Sequence, residues 1–193
     1  MSDTGIFRQL CHRAAFSLRF SRGAMESLLI ITGTMGAGKT SVLEEASDIL
    51  VMRGVAHAAI DLDMLGLAHL PSGGCSTDVM YRNLRSVCEN YASLDVSRLL
   101  LARAIEDRAE LELCVGVVSV SNTVVCRLTA SIEVMEQRVK LRESGVSSQG
   151  YVCRVAELDN ILDRARLENF TITNENRLLT DVAHELLVKA GWI

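Results

Sequence analysis

The feature that most restricts this chain is an eight-residue stretch, Gly33-Thr34-Met35-Gly36-Ala37-Gly38-Lys39-Thr40, set between an apolar run and a helical pattern. It satisfies G-x-x-x-x-G-K-[ST]. Leu28 to Thr32 before it form a short continuous apolar run, as expected of a strand buried on both faces. Residues 39–53 after it place Val42, Ala46, Ile49 and Leu50 at helical spacing and close on Arg53-Gly54, a cation followed by a glycine stop. The glycines let the backbone curl so that successive N–H groups face inward as a nest for an anion. The helix presents its positive end to the same point. The spacing predicts a phosphate-binding loop lined by Gly33, Thr34, Met35, Gly36, Ala37, Gly38, Lys39, Thr40 and Ser41. Lys39 is expected on the β- and γ-phosphates and the Thr40 hydroxyl on Mg²⁺.

The remaining pattern alternates strands and helices. Val55 to Ile60 reads as a second strand stopped by Asp61, and 77–92 as a helix. Residues 97–105 read as a third strand, with a helix open as the alternative, and 106–115 as a helix. Residues 122–128 read as a fourth strand, followed by a helix that Ser131 can cap. A helix over 151–166, a short strand over 170–173 and a final helix capped by Thr180 complete the chain. This alternation predicts an α/β three-layer sandwich around a five-stranded parallel sheet.

With 193 residues the chain has room for one domain with a real core: a domain over 26–193, preceded by an N-terminal extension over 1–25 read as a helix. That extension is locally basic. Residues 1–26 carry four arginines against Asp3 and Glu26, leaving +2 there and −6 over the rest of a chain whose net charge is −4. The acidic balance argues against a nucleic-acid surface, which needs a basic face. No apolar run is long enough to span a bilayer, so no membrane partner is expected. The six cysteines are scattered, with no spacing suited to zinc, and fit a reducing cytoplasmic setting.

The run GTMGAGKTSVLEEASDILVMRG with HAAIDLD after it resembles the small P-loop kinases: adenylylsulfate kinase, gluconate kinase and chloramphenicol phosphotransferases. It is most similar to a group of bacterial ATP-binding proteins of the same type, from about Glu26 to Ile193. The resemblance implies a P-loop NTPase fold of nucleoside-monophosphate-kinase type, ATP and Mg²⁺ as cofactors, and a small-molecule acceptor. It also implies roles for Asp61 and Asp63, matching an Asp-x-Asp pair at the end of the second strand, as metal holder or proton acceptor. A strand end beside the loop faces the ligand crevice, and period two would turn both carboxylates to one side. The middle residue, Leu62, departs from adenylylsulfate kinase. Arg138 and Arg142, four apart on one helix face, match lid arginines that neutralise a transferring phosphoryl group, with Arg154 a weaker candidate. Tyr81, Arg82 and Asn83 fall in the acceptor region, and Arg164-Ala165-Arg166 with Thr173-Asn174 near the adenine. The expected catalytic set is thus Lys39, Asp61, Asp63, Arg138 and Arg142, with Thr40 and Asp61 on the metal.

Rival classes lack their signatures. No N-K-x-D segment exists for reading guanine, and Asp63-Met64-Leu65-Gly66 lies too close to the loop to be a GTPase switch. Pro71-Ser72-Gly73-Gly74 alone does not make a transport ATPase. The alternative of a different class is a regulatory or sensor module that binds ATP and transfers nothing, since the third strand ends without an acid.

Overall fold

The computed structural model describes residues 25–71, 74–142 and 148–193. Most of the N-terminal extension, 1–24, lies outside the described residues. The elements run β1 (Ser27–Thr32), α1 (Lys39–Met52), β2 (Ala58–Asp61), a 3₁₀ turn (Leu62–Leu65), α2 (Ser76–Ala92), β3 (Arg98–Ala102) and α3 (Arg108–Val118). They continue with β4 (Asn122–Thr129), α4 (Ile132–Arg142), α5 (Ser148–Ala165), β5 (Phe170–Thr173) and α6 (Leu179–Lys189). The sheet order is β2-β3-β1-β4-β5, every pairing parallel.

β1 is central because its side chains are apolar on both faces. Leu28 and Ile30 point into one core with Leu99, Leu101, Val125 and the inner sides of α2 and α3. Leu29 and Ile31 point into the other, with Leu100, Cys126, Leu128, Ile172, α1 and α6. All four are fully buried, each worth about 1.5–3 kcal/mol of apolar transfer. Because the strands are parallel, their carboxyl ends share one edge. There β1 runs into the glycine loop, β2 into Asp61, β3 into Arg103 and β5 into Asn174.

Boundaries differ from the sequence reading where local hydrogen bonds take the backbone away. β2 starts at Ala58, three residues later than expected, because the Val55 N–H closes α1 by donating to the Leu50 carbonyl at 2.9 Å. β3 ends at Ala102, and the Ile105 N–H turns back to the buried Thr32 hydroxyl. α3 begins after Asp107, whose carboxylate accepts from the Glu110 N–H at 2.8 Å. Thr180 does not cap α6. Leu178 stands at that position, and the Thr180 hydroxyl donates to Glu45 on α1 at 2.6 Å. α5 is tied to the sheet by a charge in the interior: Arg127 of β4 donates to Asp159 at 2.8 Å and Asp163 at 2.6 Å. Those carboxylates outweigh the burial that opposes its charge and hold its pKa above the arginine range.

Candidate active site

The loop from Gly33 to Gly38 joins the end of β1 to α1, and contacts from outside fix its curl. The Asn174 side-chain amide, buried beneath the loop, donates to the Ala37 carbonyl at 2.8 Å. Arg138 donates to the Gly36 carbonyl at 3.1 Å and to the Asn174 carbonyl at 2.9 Å. Thr34, almost fully buried, donates its hydroxyl to the Val155 carbonyl of α5 at 3.2 Å. The Gly36 and Ala37 carbonyls are thus occupied by Arg138 and Asn174, and the Ala37 N–H closes a turn onto the Thr34 carbonyl at 3.2 Å. Gly36 and Gly38 take φ of 79° and 93°, values disfavoured for side-chain-bearing residues. A Cβ at Gly36 would strike the Met135 carbonyl, and one at Gly38 the Asn174 amide.

Gly38 offers no side chain to cap α1, and no acid stands in its first turn. Orphan N–H donors and the helix's positive end therefore point into the nest. Lys39 donates to the Thr34 carbonyl at 3.2 Å. The residue is half-buried, and desolvation lowers its pKa to about 8 against the pull of Asp63 and Asp61. The charges of Arg142 and Arg103 push the same way as burial, which places both within electrostatic reach of Lys39.

Asp61 ends β2, and its carboxylate accepts from the exposed Thr40 hydroxyl at 2.7 Å and from the Asp63 N–H at 3.2 Å. Asp63 reaches the site by a different route from the one expected. The strand stops at Asp61, and Asp63 lies in the 3₁₀ turn that Asp61 caps. A tight turn, and not strand alternation, keeps the two carboxylates close. Asp63 pairs with Arg103, one residue beyond β3. Arg103 also donates to Glu110 of α3 at 3.0 Å. Glu110 further accepts from the Tyr81 hydroxyl at 3.2 Å and, by its other oxygen, from the Glu106 N–H at 3.1 Å. Burial works against the Arg103 charge, and Asp63 with Glu110 more than restore it. Burial, then Glu110, pushes the Tyr81 phenol above its usual range.

Other expected residues are placed differently. Arg138, expected over the γ-phosphate, holds the loop from outside through two backbone carbonyls. Arg142, at the end of α4, is exposed. Arg154 pairs with Glu106 at 3.0 Å and Glu157 at 2.7 Å. Arg82 is exposed on α2, and Asn83 donates to the Leu65 carbonyl at 2.8 Å, fastening the 3₁₀ turn to α2. Asn174 packs under the loop. Among the described residues no cluster of three or more His, Cys, Asp or Glu could by itself cage a metal. Thr40 and Asp61 do fit Mg²⁺, a hard cation that keeps waters and takes one or two carboxylates plus phosphate oxygens.

Sequence reasoning missed Arg103 and Glu110. Arg103 was within reach, because it follows an apolar strand just as Asp61 ends one, and strand ends in such sheets face the ligand. Glu110 carried no local signal.

Solved structures of small kinases share this fold. The APS kinase of Mycobacterium tuberculosis, solved with AMPPNP and APS, has a TM-score of 0.56 at 19% identity, over 86% of this chain and 98% of that one. This is the fold of the small P-loop kinases. A tunicamycin resistance protein from Deinococcus radiodurans gives 0.58 at 17% identity over 87% and 97% of the two chains. A gluconokinase from Sinorhizobium meliloti 1021 gives 0.57 at 16% over 87% and 93%. No family model matches the sequence, and no curated protein does. Among the described residues, no helix is long and apolar enough to cross a membrane.

Proposed function

We propose that this chain is an Mg-ATP-dependent phosphotransferase acting on a hydroxyl of a small molecule. The observation that carries the reading is the glycine loop, its Gly36 and Ala37 carbonyls occupied by Arg138 and Asn174, opening directly onto Asp61 and Asp63 at the edge of β2. Mg-ATP, when bound, supplies the phosphoryl group and part of the charge neutralisation. Loop amides and the Lys39 ammonium would grip the phosphates, and Thr40 and Asp61 would hold the cation. Asp61, with Thr40, would be taken up by the cation, whereas Asp63, paired with Arg103 through one oxygen and 57% exposed, keeps its second oxygen to orient the acceptor hydroxyl and receive its proton. Arg142, exposed at the end of α4, closes over the transferring group and excludes water. The kinase neighbours of the same fold support a small-molecule acceptor. We place the protein in the cytoplasm and assign it no nucleic-acid or membrane partner.

The test measures ATP binding by calorimetry with magnesium, and ADP release over a panel of hydroxyl compounds, for the native protein, Lys39→Ala and Asp63→Asn. Lys39→Ala should lose triphosphate binding, whereas Asp63→Asn should bind ATP and lose turnover. ATP binding with unchanged acceptor-dependent ADP release in Asp63→Asn would contradict the assigned role.

A further inference from the structure

Among the described residues, two guanidinium groups are fastened to the segment that follows β3: Arg103 itself and, from α5, Arg154 through Glu106. Both are already neutralised by carboxylates. Arg103 donates to Asp63 and to Glu110. Glu110 is locked in turn by the Tyr81 hydroxyl and the Glu106 N–H, and its side chain is only 17% exposed. Arg154 grips both oxygens of Glu106, at 3.1 and 3.0 Å, and Glu157 at 2.7 Å. Lys39 feels the charges of both Arg142 and Arg103, so both lie within electrostatic reach of it. Arg82 lies on the exposed face of α2, its Nε donating to the Asp78 carbonyl one turn back.

A carboxylate, sulfate or phosphate ester entering here would have to displace Asp63 or Glu110 from Arg103, or Glu106 from Arg154. Displacing Glu110 would strand a mostly buried carboxylate, and breaking one partner away from a buried pair is costly. Hydroxyl groups face no such obstacle. Asp63 is 57% exposed and Glu106 42% exposed, so each keeps acceptor lone pairs turned to solvent that suit O–H donors. We infer that the acceptor is an uncharged, hydroxyl-bearing molecule with no anionic group beside the reacting oxygen. The inference rests on the kinase reading above and narrows its substrate.

The experiment uses inorganic sulfate as the probe, titrated by calorimetry into protein saturated with Mg-AMPPNP so that the loop is filled. Native protein should show no stoichiometric sulfate site tighter than about 1 mM. Glu110→Gln, which uncovers one face of Arg103, should gain a site at least about tenfold tighter than any residual native binding, because hydrogen bonds to a charged group are strong. Glu106→Gln should do the same through Arg154, and serves where the first variant fails to fold. One stoichiometric sulfate on the native complex, whether lost in Arg103→Gln, Arg154→Gln or Arg82→Gln, overturns the inference and leaves the kinase reading standing. Failure of AMPPNP to bind overturns the kinase reading instead.

Discussion

If Lys39 grips a polyphosphate as proposed, binding should be linked to proton uptake. In the free protein burial lowers its pKa to about 8, whereas a bound polyphosphate would keep the ammonium charged. The fraction that must take up a proton on binding is then about 0.2 at pH 7.5, about 0.5 at pH 8 and about 0.9 at pH 9. ATP affinity should fall about eightfold between pH 7.5 and 9, about 1.3 kcal/mol, a window above the last ionisation of a phosphate near 6. Calorimetry at pH 9 in two buffers of different ionisation enthalpy reads the uptake directly, with Lys39→Met as the blank. The stability of the free protein follows the same group. Between about 8 and 10.5 the unfolded chain holds the proton that the folded chain has lost. Folding stability contributed by this residue therefore rises with pH across that window. No proton uptake at pH 9, or the same uptake in Lys39→Met, would refute the reasoning.

Two further outcomes are expected. Gly38→Ala forces a residue with a side chain into positive φ and drives its Cβ onto Asn174, and should cost about 2–4 kcal/mol in denaturant unfolding. In an Asn174→Ala background the same change should cost at least about 1 kcal/mol less, since contacting residues couple, and strict additivity would count against the contact. Burial pushes the thiols of Cys88, Cys114 and Cys126 up to about 11, about 12 and about 12, whereas Cys75 and Cys153 are exposed. A thiol reagent at pH 8, with labelling mapped by mass spectrometry, should therefore modify Cys75 and Cys153 quickly and Cys88, Cys114 and Cys126 only on unfolding. Rapid labelling of Cys114 or Cys126 in the folded protein would contradict this packing.

Much of the molecule could be read from its residues in order. The apolar run 28–32, the glycine spacing and the helical stripe of Val42, Ala46, Ile49 and Leu50 are local signals. They were enough for β1, the loop and α1, because backbone conformation there depends on near neighbours. The alternation of strands and helices gave the parallel sheet, and Asp61 followed from its place at a strand end. What tertiary structure decided were contacts between residues far apart in the chain. Asn174 and Arg138 donate to carbonyls of the glycine loop from 137 and 102 positions away, contacts that no local motif signals. Arg103 and Glu110 meet Asp63 and Tyr81 only because β3 and α3 fold against β2 and α2. Local sequence carries backbone preference and periodicity; which charges end up paired, as Arg103 is with Asp63 and Glu110, depends on which chain segments the core brings together.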